Sequence, residues 1–384
     1  MKLIHVFTVF STAKSFFDNQ FKYLSEQGYE IVLVSSSSEE ALEFAKRNGI
    51  RFIPVEIPRA LSLVAILKAI KTLINIFKQE EVDAVFGHTP VGALCAMVAA
   101  KLCAVKNRIY YRHGVIYTTM KGIKFQIFRL EEKFVASLAT TVINVSHSLS
   151  RLAIRDGLNS DKKQYVIGKG TCGGIDAINL FNPEVLDKAI LENKRKMYYL
   201  NEVDIVFGFV GRICKDKGIP ELIEGFELFQ KSHPNINAKL VLIGPLDTRD
   251  VISEESIQQI KKNEGIILTG RIPKNELPYY YSLLDVFVFP SHREGFGMSV
   301  IEASALKKPI LVSRAHGCED SIVEHVTGEY IQLTAESICK GLENMLDKDT
   351  RDFLGKNGRK NVLECYDTHV MWPLIADLYK QILK

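Results

Sequence analysis

The sequence predicts an α/β protein that is built from two parallel-sheet domains. Short apolar runs alternate with helical patterns along all 384 residues, and strands that alternate with helices form parallel sheets. This length exceeds one ordinary domain and suits two domains of about 190 residues each. A hydrophobic content of 47% is enough for two cores. We therefore place one domain at residues 1–181, a second at 182–365, and a final helix at 366–384.

The predicted strands and helices follow one another in a regular order. In the first domain, apolar runs predict strands at residues 3–7, 31–35, 51–55, 84–87, 108–111, 141–145 and 165–167. The patterns between them predict helices at residues 16–27, 38–48, 61–79, 91–104, 125–137 and 146–156. A charged, strand-poor segment at 181–201 precedes the second set of strands, at 205–210, 239–243, 266–268, 286–289 and 310–312. The final helix carries Trp372, Leu374, Ile375, Leu378 and Ile382.

One strand-to-helix junction of the second domain carries two basic residues. The predicted strand at 205–210 ends at Gly211, and Arg212 and Lys217 follow in the loop before the next helix. Ligands of open α/β sheets bind beyond the carboxyl ends of the strands. Cations together with the backbone N–H groups of a helix N-terminus can hold a diphosphate there. This motif alone is also compatible with an ordinary turn.

A second junction carries two carboxylates. The strand at 286–289 leads into a loop that contains Glu294, and a helix that starts near Gly297 contains Glu302. Both carboxylates can face the same cleft, where they suit two hydrogen-bonding tasks on a sugar nucleotide. The alternative for this motif alone is a solvated helix face. The occurrence of both junctions in order, each on its own βα unit, favours a functional site.

These motifs resemble those of a known family. The second half is similar to the nucleotide-binding half of retaining GT-B glycosyltransferases of family 4, through Gly211-Arg212, Lys217-Gly218, Pro290-Ser291, Glu294-Gly295-Phe296-Gly297, Glu302-Ala303 and Thr327-Gly328. The first half resembles bacterial capsule and surface-polysaccharide members, through Gly87-His88-Thr89-Pro90, Tyr111-Arg112-His113-Gly114 and Gly168-Lys169-Gly170. The resemblance implies two Rossmann-like domains that face a cleft, and a final helix that crosses back onto the first domain.

The resemblance also implies roles for individual residues. Arg212 and Lys217 stabilise the charge of the leaving diphosphate, Glu294 orients a donor-sugar hydroxyl and Glu302 binds the ribose. The expected nucleotide-binding set is Gly211, Arg212, Lys217, Glu294, Gly295, Phe296, Gly297, Met298 and Glu302. The expected catalytic set is His113, Glu294, Arg212 and Lys217. Family members work without a metal, so the donor, a UDP-sugar, is expected to need no cofactor.

Histidines and polar residues of the first half supply further candidates. His113 follows the predicted strand 108–111 at its carboxyl end, where the family has a histidine that contacts the donor sugar; the alternative is a turn histidine that caps the strand. The acceptor-side candidates are Ser11, Thr12, His88 and Arg112. For His88, lining the acceptor site and packing in the core both stay open.

The sequence departs from the family pattern in three loops. Residues 8–12 replace a common Gly-Gly pair, Gly173-Gly174 replaces an Asn-Gly step, and His316-Gly317-Cys318 replaces a pair of glycines. The first departure matters most, because this loop borders donor and acceptor in the family. None of the three changes Arg212, Lys217, Glu294 or Glu302.

The distribution of charge along the chain indicates which classes of partner are favoured. The residues up to Gly170 carry 23 Lys and Arg against 14 Asp and Glu, whereas the whole chain has a net charge of only +4. A basic half indicates an anionic partner. The interleaved basic and apolar residues from Lys121 to Arg129 are typical of helices that lie on membranes, or of an ordinary solvated helix. No aromatic-basic motif indicates nucleic acid.

No signal peptide or membrane span is predicted. The seven cysteines include no C-x-x-C pair, which favours a reducing cytosol, and no apolar run reaches the roughly 18 residues of a membrane span. The Asp347-Lys348-Asp349 sequence lies in a charged helical region and is interpreted as surface, so no metal site is predicted. These patterns predict a cytoplasmic protein, with peripheral contact to the cytoplasmic face of the membrane.

The resemblance therefore implies an enzyme of surface polysaccharide synthesis. It is expected to move a hexose or N-acetylhexosamine from a UDP-sugar to a polyprenyl-diphosphate-linked saccharide, with retention of configuration. Two alternatives stay open: a GT-B sugar-nucleotide epimerase, and a non-catalytic subunit that binds nucleotide sugars. The intact set of Arg212, Lys217, Glu294 and Glu302 argues against the second.

Overall fold

The structure, a computed structural model, describes residues 1–59 and 62–383 of the chain. These residues form two compact units. Unit 1 comprises Met1–Gly174 and the described residues from His369 onward, and unit 2 comprises Ile175–Thr368. The chain thus changes units at Gly174 and Thr368, where the sequence placed the changes at residues 181 and 365. The reason is a local pairing within unit 2: Ile175 forms a β-bridge with Asp367, and the carboxylate of Asp367 accepts the N–H of Ala177 at 3.0 Å.

Seven strands within the described part of unit 1 form one parallel sheet. They are β1 (Lys2–Val6), β2 (Glu30–Ser35), β3 (Arg51–Pro54), β4 (Ala84–His88), β5 (Asn107–Arg112), β6 (Thr141–Asn144) and β7 (Gln164–Val166). Their order across the sheet is β3-β2-β1-β4-β5-β6-β7, and every neighbouring pair is parallel. Each of these strands overlaps a strand that the sequence predicts. The sheet places the carboxyl ends of β1, β4 and β5 side by side at its centre.

The helices of unit 1 connect these strands and cover the sheet. They are α1 (Phe10–Phe17), α2 (Gln20–Glu26), α3 (Glu39–Asn48), α4 (Leu63–Gln79), α5 (Pro90–Leu102), α6 (Gly122–Leu138), α7 (His147–Arg155) and, at the end of the chain, α15 (Thr368–Ile382). Helix α5 packs between α4 and α6. Leu61, the first residue of the predicted helix 61–79, lies outside the described residues, as does Lys384, the last residue of the predicted final segment.

The predicted helix at 16–27 is wrong in its extent. The structure has two helices here, α1 and α2, and the backbone leaves the helical conformation at Asp18. Helix α1 already begins at Phe10, in the stretch that the sequence interpreted as a loop. Phe10, Ala13 and Phe17 bury one face of α1, so packing on the sheet stabilises a helix that lacks a side-chain cap at Val9.

Unit 2 has a second parallel sheet of Rossmann-like architecture. Its strands are β8 (Ile205–Val210), β9 (Ala238–Ile243), β10 (Ile266–Gly270), β11 (Val286–Phe289), β12 (Ile310–Ser313) and β13 (Gly328–Ile331), in the order β10-β9-β8-β11-β12-β13. Its helices are α8 (Lys188–Met197), α9 (Ile219–Ser232), α10 (Glu254–Lys262), α11 (Leu277–Ser282), α12 (Met298–Ala305), α13 (Ala335–Asn344) and α14 (Lys348–Cys365). The sequence missed the edge strand β13, whose pattern contains only a short apolar run. Strands β8 and β11 are neighbours, so the two junctions singled out in the sequence lie side by side.

The last helix, α15, packs within unit 1. The indole N–H of Trp372 donates to the carbonyl of Gly173 at 3.0 Å, and the ring centroids of Tyr379 and Phe86 are 4.7 Å apart. The buried face consists of Met371, Ile375, Ala376 and Tyr379. Leu374, which the sequence grouped with the apolar residues of this helix, is exposed instead.

Candidate functional site

Arg212 lies just beyond the carboxyl end of β8, and its side chain is paired with one carboxylate. Its Nη1 donates to Oδ2 of Asp247 at 2.5 Å. The other oxygen of Asp247 accepts the backbone N–H groups of Asp250 and Arg249 at 2.9 and 2.7 Å. These backbone bonds, together with Arg212, lower the pKa of Asp247 to about 2. The guanidinium is about half exposed, so it keeps donors that can reach an anion.

Lys217 and Glu294 form an ion pair that joins the two junctions. Both side chains are mostly buried, with 13% and 18% of their surface exposed. The loops approach closely at Gly218, which has a φ of +66° and lies against the carbonyl of Pro290; a Cβ at this position would be 1.9 Å from that oxygen. Only glycine fits both the backbone conformation and the space. The ion pair therefore rests on a tight contact between the β8 and β11 loops.

A third loop fixes the backbone of Glu294. The N–H of Glu294 donates to the carbonyl of His316 at 3.1 Å. Gly317, with a φ of +81°, lies so close that a Cβ would be 2.4 Å from the carbonyl oxygen of Glu294. In the sequence, His316-Gly317-Cys318 stands where the family has a pair of glycines. In the structure the single glycine at 317 is sufficient to let the two loops meet.

Glu302 lies in α12 and is oriented by a tyrosine. The hydroxyl of Tyr281 donates to Oε2 of Glu302 at 2.7 Å. Burial raises the pKa of Glu302, and the hydrogen bond from Tyr281 opposes this rise. The sequence offered no signal for Tyr281, which lies in α11, 69 residues after Arg212 and 64 residues after Lys217.

The start of α12 contributes the partial positive charge of a helix end, while the N–H groups of Met298 and Val300 donate to the carbonyls of Phe296 and Gly297 at 2.8 and 3.0 Å. Its N-cap is Gly297, which has no side chain to bond the N–H groups of the first turn. Helix N-termini carry partial positive charge and bind phosphate groups. Gly295 lies in the loop before this helix, Phe296 and Gly297 are buried beneath it, and Met298 is its first residue.

The predicted residues of unit 2 thus fall at one edge of one sheet. Lys217 and Glu294 contact each other directly, while Arg212 and Glu302 are held by Asp247 and Tyr281. Two cations and a helix N-terminus suit a diphosphate, and two carboxylates suit hydroxyl groups. Within the described residues, no group of three or more His, Cys, Asp and Glu side chains is arranged to hold a metal ion.

In unit 1, His113 directly follows β5 and its ring nitrogens are both occupied. Its Nε2 lies 2.9 Å from Nδ1 of His88, and its Nδ1 lies 3.2 Å from Sγ of Cys172. The ring stacks on Tyr111 and Phe16, with centroids 5.0 and 5.2 Å apart. Burial lowers the pKa of His113 to about 3, so the imidazole is neutral at physiological pH.

The acceptor-side candidates divide into two groups. Ser11 and Thr12 lie in the first turns of α1 and not in a loop as predicted; Ser11 is exposed and Thr12 is half-buried. His88 is fully buried and bonded to two other histidines, which favours the packing alternative.

Arg112 is a structural residue in this fold. It has no exposed surface, and its guanidinium donates to Glu132, Asn144 and Asn159 at 3.2, 2.9 and 3.0 Å. A buried cation with this set of partners cannot reach a saccharide in this conformation. The interpretation of Arg112 as an acceptor contact therefore conflicts with the structure, because the residue points into the core between β5, β6 and α6.

The sequence analysis missed two residues that bond to His88 and His113. His5 lies on β1 and Cys172 lies in the loop after β7. Their neighbours in sequence are ordinary strand and loop residues, and only the strand order β1-β4-β5 brings His5 beside His88. No local pattern could have signalled either one.

Comparisons with known proteins agree with this architecture. Residues 5–146 match a family model described as glycosyl transferase 4-like, and residues 192–361 match one described as glycosyl transferases group 1. The chain is 31% identical over 385 residues to the capsular polysaccharide biosynthesis glycosyltransferase CapM of Staphylococcus aureus, with 100% of this chain and 98% of the relative covered.

Less similar proteins also match nearly the whole length of the chain. A UDP-Gal:alpha-D-GlcNAc-diphosphoundecaprenol alpha-1,3-galactosyltransferase of Escherichia coli is 23% identical, over 94% of this chain and 91% of the relative. The crystal structure of Anabaena HepE in complex with UDP and glucose superposes with a TM-score of 0.80 at 16% identity, and the match covers 99% of both chains. The match to HepE shows that the two proteins share a fold.

Proposed function

The chain belongs to the group 1 glycosyltransferases, and we propose that it transfers a hexose or N-acetylhexosamine from a UDP-sugar to a polyprenyl-diphosphate-linked saccharide in surface polysaccharide synthesis. The transfer retains the anomeric configuration and uses no metal. Support for the acceptor comes from the names of the capsular relative and of the relative that acts on a diphosphoundecaprenol-linked sugar. The observation that carries the proposal is the arrangement of Arg212, Lys217, Glu294 and Glu302 around the ends of β8 and β11.

The leaving group explains the two cations. The bond between the anomeric carbon and the β-phosphate oxygen breaks, and negative charge develops on that phosphate. Lys217 and Arg212, with the N–H groups at the start of α12, would stabilise this charge. The acceptor oxygen forms the new bond to the anomeric carbon on the same face, and its proton passes to the departing phosphate. No other base is required in this step.

The two carboxylates would bind the neutral parts of the donor. Glu302 is held by Tyr281 and accepts from the ribose hydroxyls, while Glu294 is held by Lys217 and by the 316–317 loop and orients a sugar hydroxyl. Both carboxylates are therefore fixed before the donor arrives, which reduces the ordering cost of binding.

Calorimetric titration with UDP, GDP and ADP tests the donor class. We expect UDP to bind the wild type and to bind Glu302→Ala much more weakly. Binding of GDP or ADP in preference would reject UDP-sugars as the donors. The control is Glu255→Ala, an exposed glutamate of the same unit on α10, which should leave the affinity unchanged.

Product analysis tests the reaction itself. Incubation with a UDP-sugar and an undecaprenyl-diphosphate-linked sugar should release UDP and extend the lipid-linked saccharide, with the same anomeric configuration as the donor in the NMR spectrum. The rate should be unchanged in EDTA. An altered UDP-sugar without release of UDP would instead identify an epimerase.

Unit 1 has a surface that suits the membrane where such an acceptor resides. Across residues 1–59 and 62–383, no helix combines the length and hydropathy of a membrane span. Helix α6, however, exposes an apolar stripe at Ile123, Ile127, Leu130 and Phe134. This spacing of four, three and four residues places all of them on one side of the helix.

The charges around this stripe indicate the kind of surface that it meets. Lys121, Lys124 and Lys133 are exposed beside it, as amphipathic helices on anionic bilayers require. Helix α4, on the other side of α5, exposes Leu63, Val64 and Leu67. We propose that these helices rest on the anionic cytoplasmic leaflet.

Sedimentation with vesicles of phosphatidylglycerol and phosphatidylcholine tests this contact. Ile127→Glu should reduce binding several-fold, while Leu42→Glu, an equally exposed apolar position on α3, should not. Equal binding by both variants would reject the α6 surface, and the ordinary solvated helix would then be the better interpretation.

A further inference from the structure

A second ion pair lies beside the one between Lys217 and Glu294. Nε of Arg293 donates to Oδ1 of Asp216 at 2.8 Å. Asp216 directly precedes Lys217, and Arg293 directly precedes Glu294, so two consecutive ion pairs join the loops that follow β8 and β11. None of the four side chains is more than 27% exposed. Water and salt therefore screen these charges less than they screen a surface pair.

The two ion pairs have opposite polarity. The β8 loop carries a negative charge at Asp216 and then a positive one at Lys217, whereas the β11 loop carries a positive charge at Arg293 and then a negative one at Glu294. A shift of one residue in one direction would bring Asp216 opposite Glu294. A shift in the other direction would bring Lys217 opposite Arg293. Like charges repel in both cases, so the order of the charges favours the observed register of the loops.

The backbone of Asp216 is fixed as well. Its N–H donates to Oδ2 of Asp250 at 2.7 Å, and its carbonyl accepts the N–H of His292 at 3.0 Å. Asp250 lies in the loop after β9, and His292 lies in the loop after β11. Because Asp216 is bonded to both neighbouring loops, it determines where the next residue, Lys217, lies.

Lys217 and Glu294 keep hydrogen-bonding capacity for a ligand while they are paired. The ammonium group of Lys217 has three N–H donors, and Glu294 uses one of them. The carboxylate of Glu294 has about four acceptor sites on its two oxygens, and Lys217 contacts Oε1. The pair can therefore persist when a donor binds, provided that the two loops hold both side chains in place.

We propose that Asp216 and Arg293 are positioning residues of the donor site. Their ion pair sets the register of the two loops, and this register holds Lys217 against Glu294. Neither Asp216 nor Arg293 contacts the donor; both act through Lys217 and Glu294. This assignment rests on the proposed function for the tasks of Lys217 and Glu294, whereas the coupling between the two ion pairs is a property of the ligand-free protein.

Urea denaturation of the ligand-free protein tests the coupling. Arg293→Met removes one ion pair and Lys217→Met removes the other. If the first pair sets the register of the second, the urea midpoint of the double variant should fall by less than the sum of the two single losses. Direct repulsion between the two cations would give the opposite sign. Additive or larger losses would overturn the inference, whether or not the proposed function holds.

A third ion pair of unit 2 supplies the control for this cycle. Lys194 on α8 pairs with Glu276 at 2.9 Å, and neither residue bonds to the loops after β8 and β11. The loss caused by Lys194→Met should simply add to that caused by Lys217→Met. The comparison shows that a loss smaller than the sum belongs to the two adjacent ion pairs and not to unit 2 as a whole.

Nucleotide affinity tests whether Arg293 acts through Lys217. Calorimetric titration uses whichever of UDP, GDP and ADP the wild type binds. We expect Arg293→Met to weaken binding about tenfold, and Arg293→Lys, which keeps the positive charge, to stay within about threefold of the wild type. In a Lys217→Met background, Arg293→Met should weaken binding by less than about twofold. A tenfold loss in both backgrounds would overturn the positioning role.

Asp216→Asn tests the other member of the pair with almost no change of shape. It should weaken nucleotide binding as Arg293→Met does, and the double variant with both changes should lose no more than either single variant, because one pair is removed in each case. A double variant whose loss is the product of the two single losses would show that the residues act separately. A wild type that binds none of the three nucleotides would reject the proposed function, while the urea cycle still decides the coupling.

Discussion

The hydroxyl of Tyr281 and the carboxylate of Glu302 are joined by a hydrogen bond of 2.7 Å. The two residues are on different helices, α11 and α12, and the bond stabilises the charged form of a carboxyl group whose pKa is raised by burial. Tyr281 thus orients the carboxylate that we propose binds the ribose, and it acts through Glu302.

Removal of this hydrogen bond should shift the pH dependence of nucleotide binding. In Tyr281→Phe the pKa of Glu302 should rise further, because the effect of burial is then opposed only by the charge of Lys274. The affinity for UDP should therefore begin to fall at a higher pH than in the wild type as the solution is acidified. Titration calorimetry between pH 5 and pH 8 measures this shift. Identical profiles would show that Tyr281 does not act on Glu302.

Glu302→Gln separates charge from shape at the same position. A hydrogen bond to a charged group contributes roughly 1.5–3 kcal/mol, so we expect UDP affinity to fall about 10-fold to 100-fold. The affinity of Glu302→Gln should depend on pH less than that of the wild type, because only the titration of the UDP phosphate remains. An unchanged affinity would contradict the assignment of Glu302 to the ribose.

Arg212→Ala should reduce turnover more than binding. The negative charge on the departing phosphate increases toward the transition state, so a cation there contributes most to kcat. We expect kcat to fall at least tenfold while the affinity for UDP changes less. Arg249→Ala, an exposed arginine in the loop that contains Asp247, is the control. A kcat of Arg212→Ala within about a factor of two of the wild type would contradict this role.

Gly218→Ala should destabilise unit 2 strongly. The φ of +66° costs a non-glycine residue about 1 kcal/mol, and the new Cβ would also be 1.9 Å from the carbonyl oxygen of Pro290. Gly270→Ala is the control, because Gly270 has a φ of +72° but no atom within 4 Å of the added Cβ. Urea denaturation should show a clearly larger loss for Gly218→Ala. Equal losses would mean that the loops separate easily.

The three hydrogen-bonded histidines His5, His88 and His113 should make the stability of unit 1 sensitive to acid. The folded-state pKa of His5 and of His113 is about 3, below the value of about 6.5 for an unfolded histidine. The free energy of unfolding is therefore at its full value above pH 6.5, and it falls as the pH decreases from 6.5 toward 3. Each histidine contributes up to about 1.4 kcal/mol of stability per pH unit in this window.

Urea denaturation of the wild type and of His5→Leu at several pH values measures this effect. The dependence on pH should be weaker in His5→Leu, which binds one proton fewer on unfolding. His325→Asn, at an exposed histidine of unit 2, should keep the wild-type dependence below pH 6. An equally steep acid loss in His5→Leu would show that His5 is not the origin of it.

Much of the fold followed from local patterns. The alternation of apolar runs and helices predicted parallel sheets, and the two motifs singled out in the sequence lie at the ends of the neighbouring strands β8 and β11. These features depend on a few neighbouring residues, because side-chain periodicity and turn composition act over one element at a time. Helix α1 was an exception: burial of Phe10 and Phe17 against the sheet stabilises a segment whose sequence resembles a loop.

The sequence by itself determined the βα units and the residue types at their ends, because each follows from short-range periodicity. Only the tertiary structure decided which ends meet. The order β1-β4-β5 brings His5, His88 and His113 into one chain, and the path of α6 buries Arg112, which the sequence had placed beside a saccharide. Strand order and burial depend on contacts between residues that are far apart in the chain. Local sequence patterns therefore do not specify them.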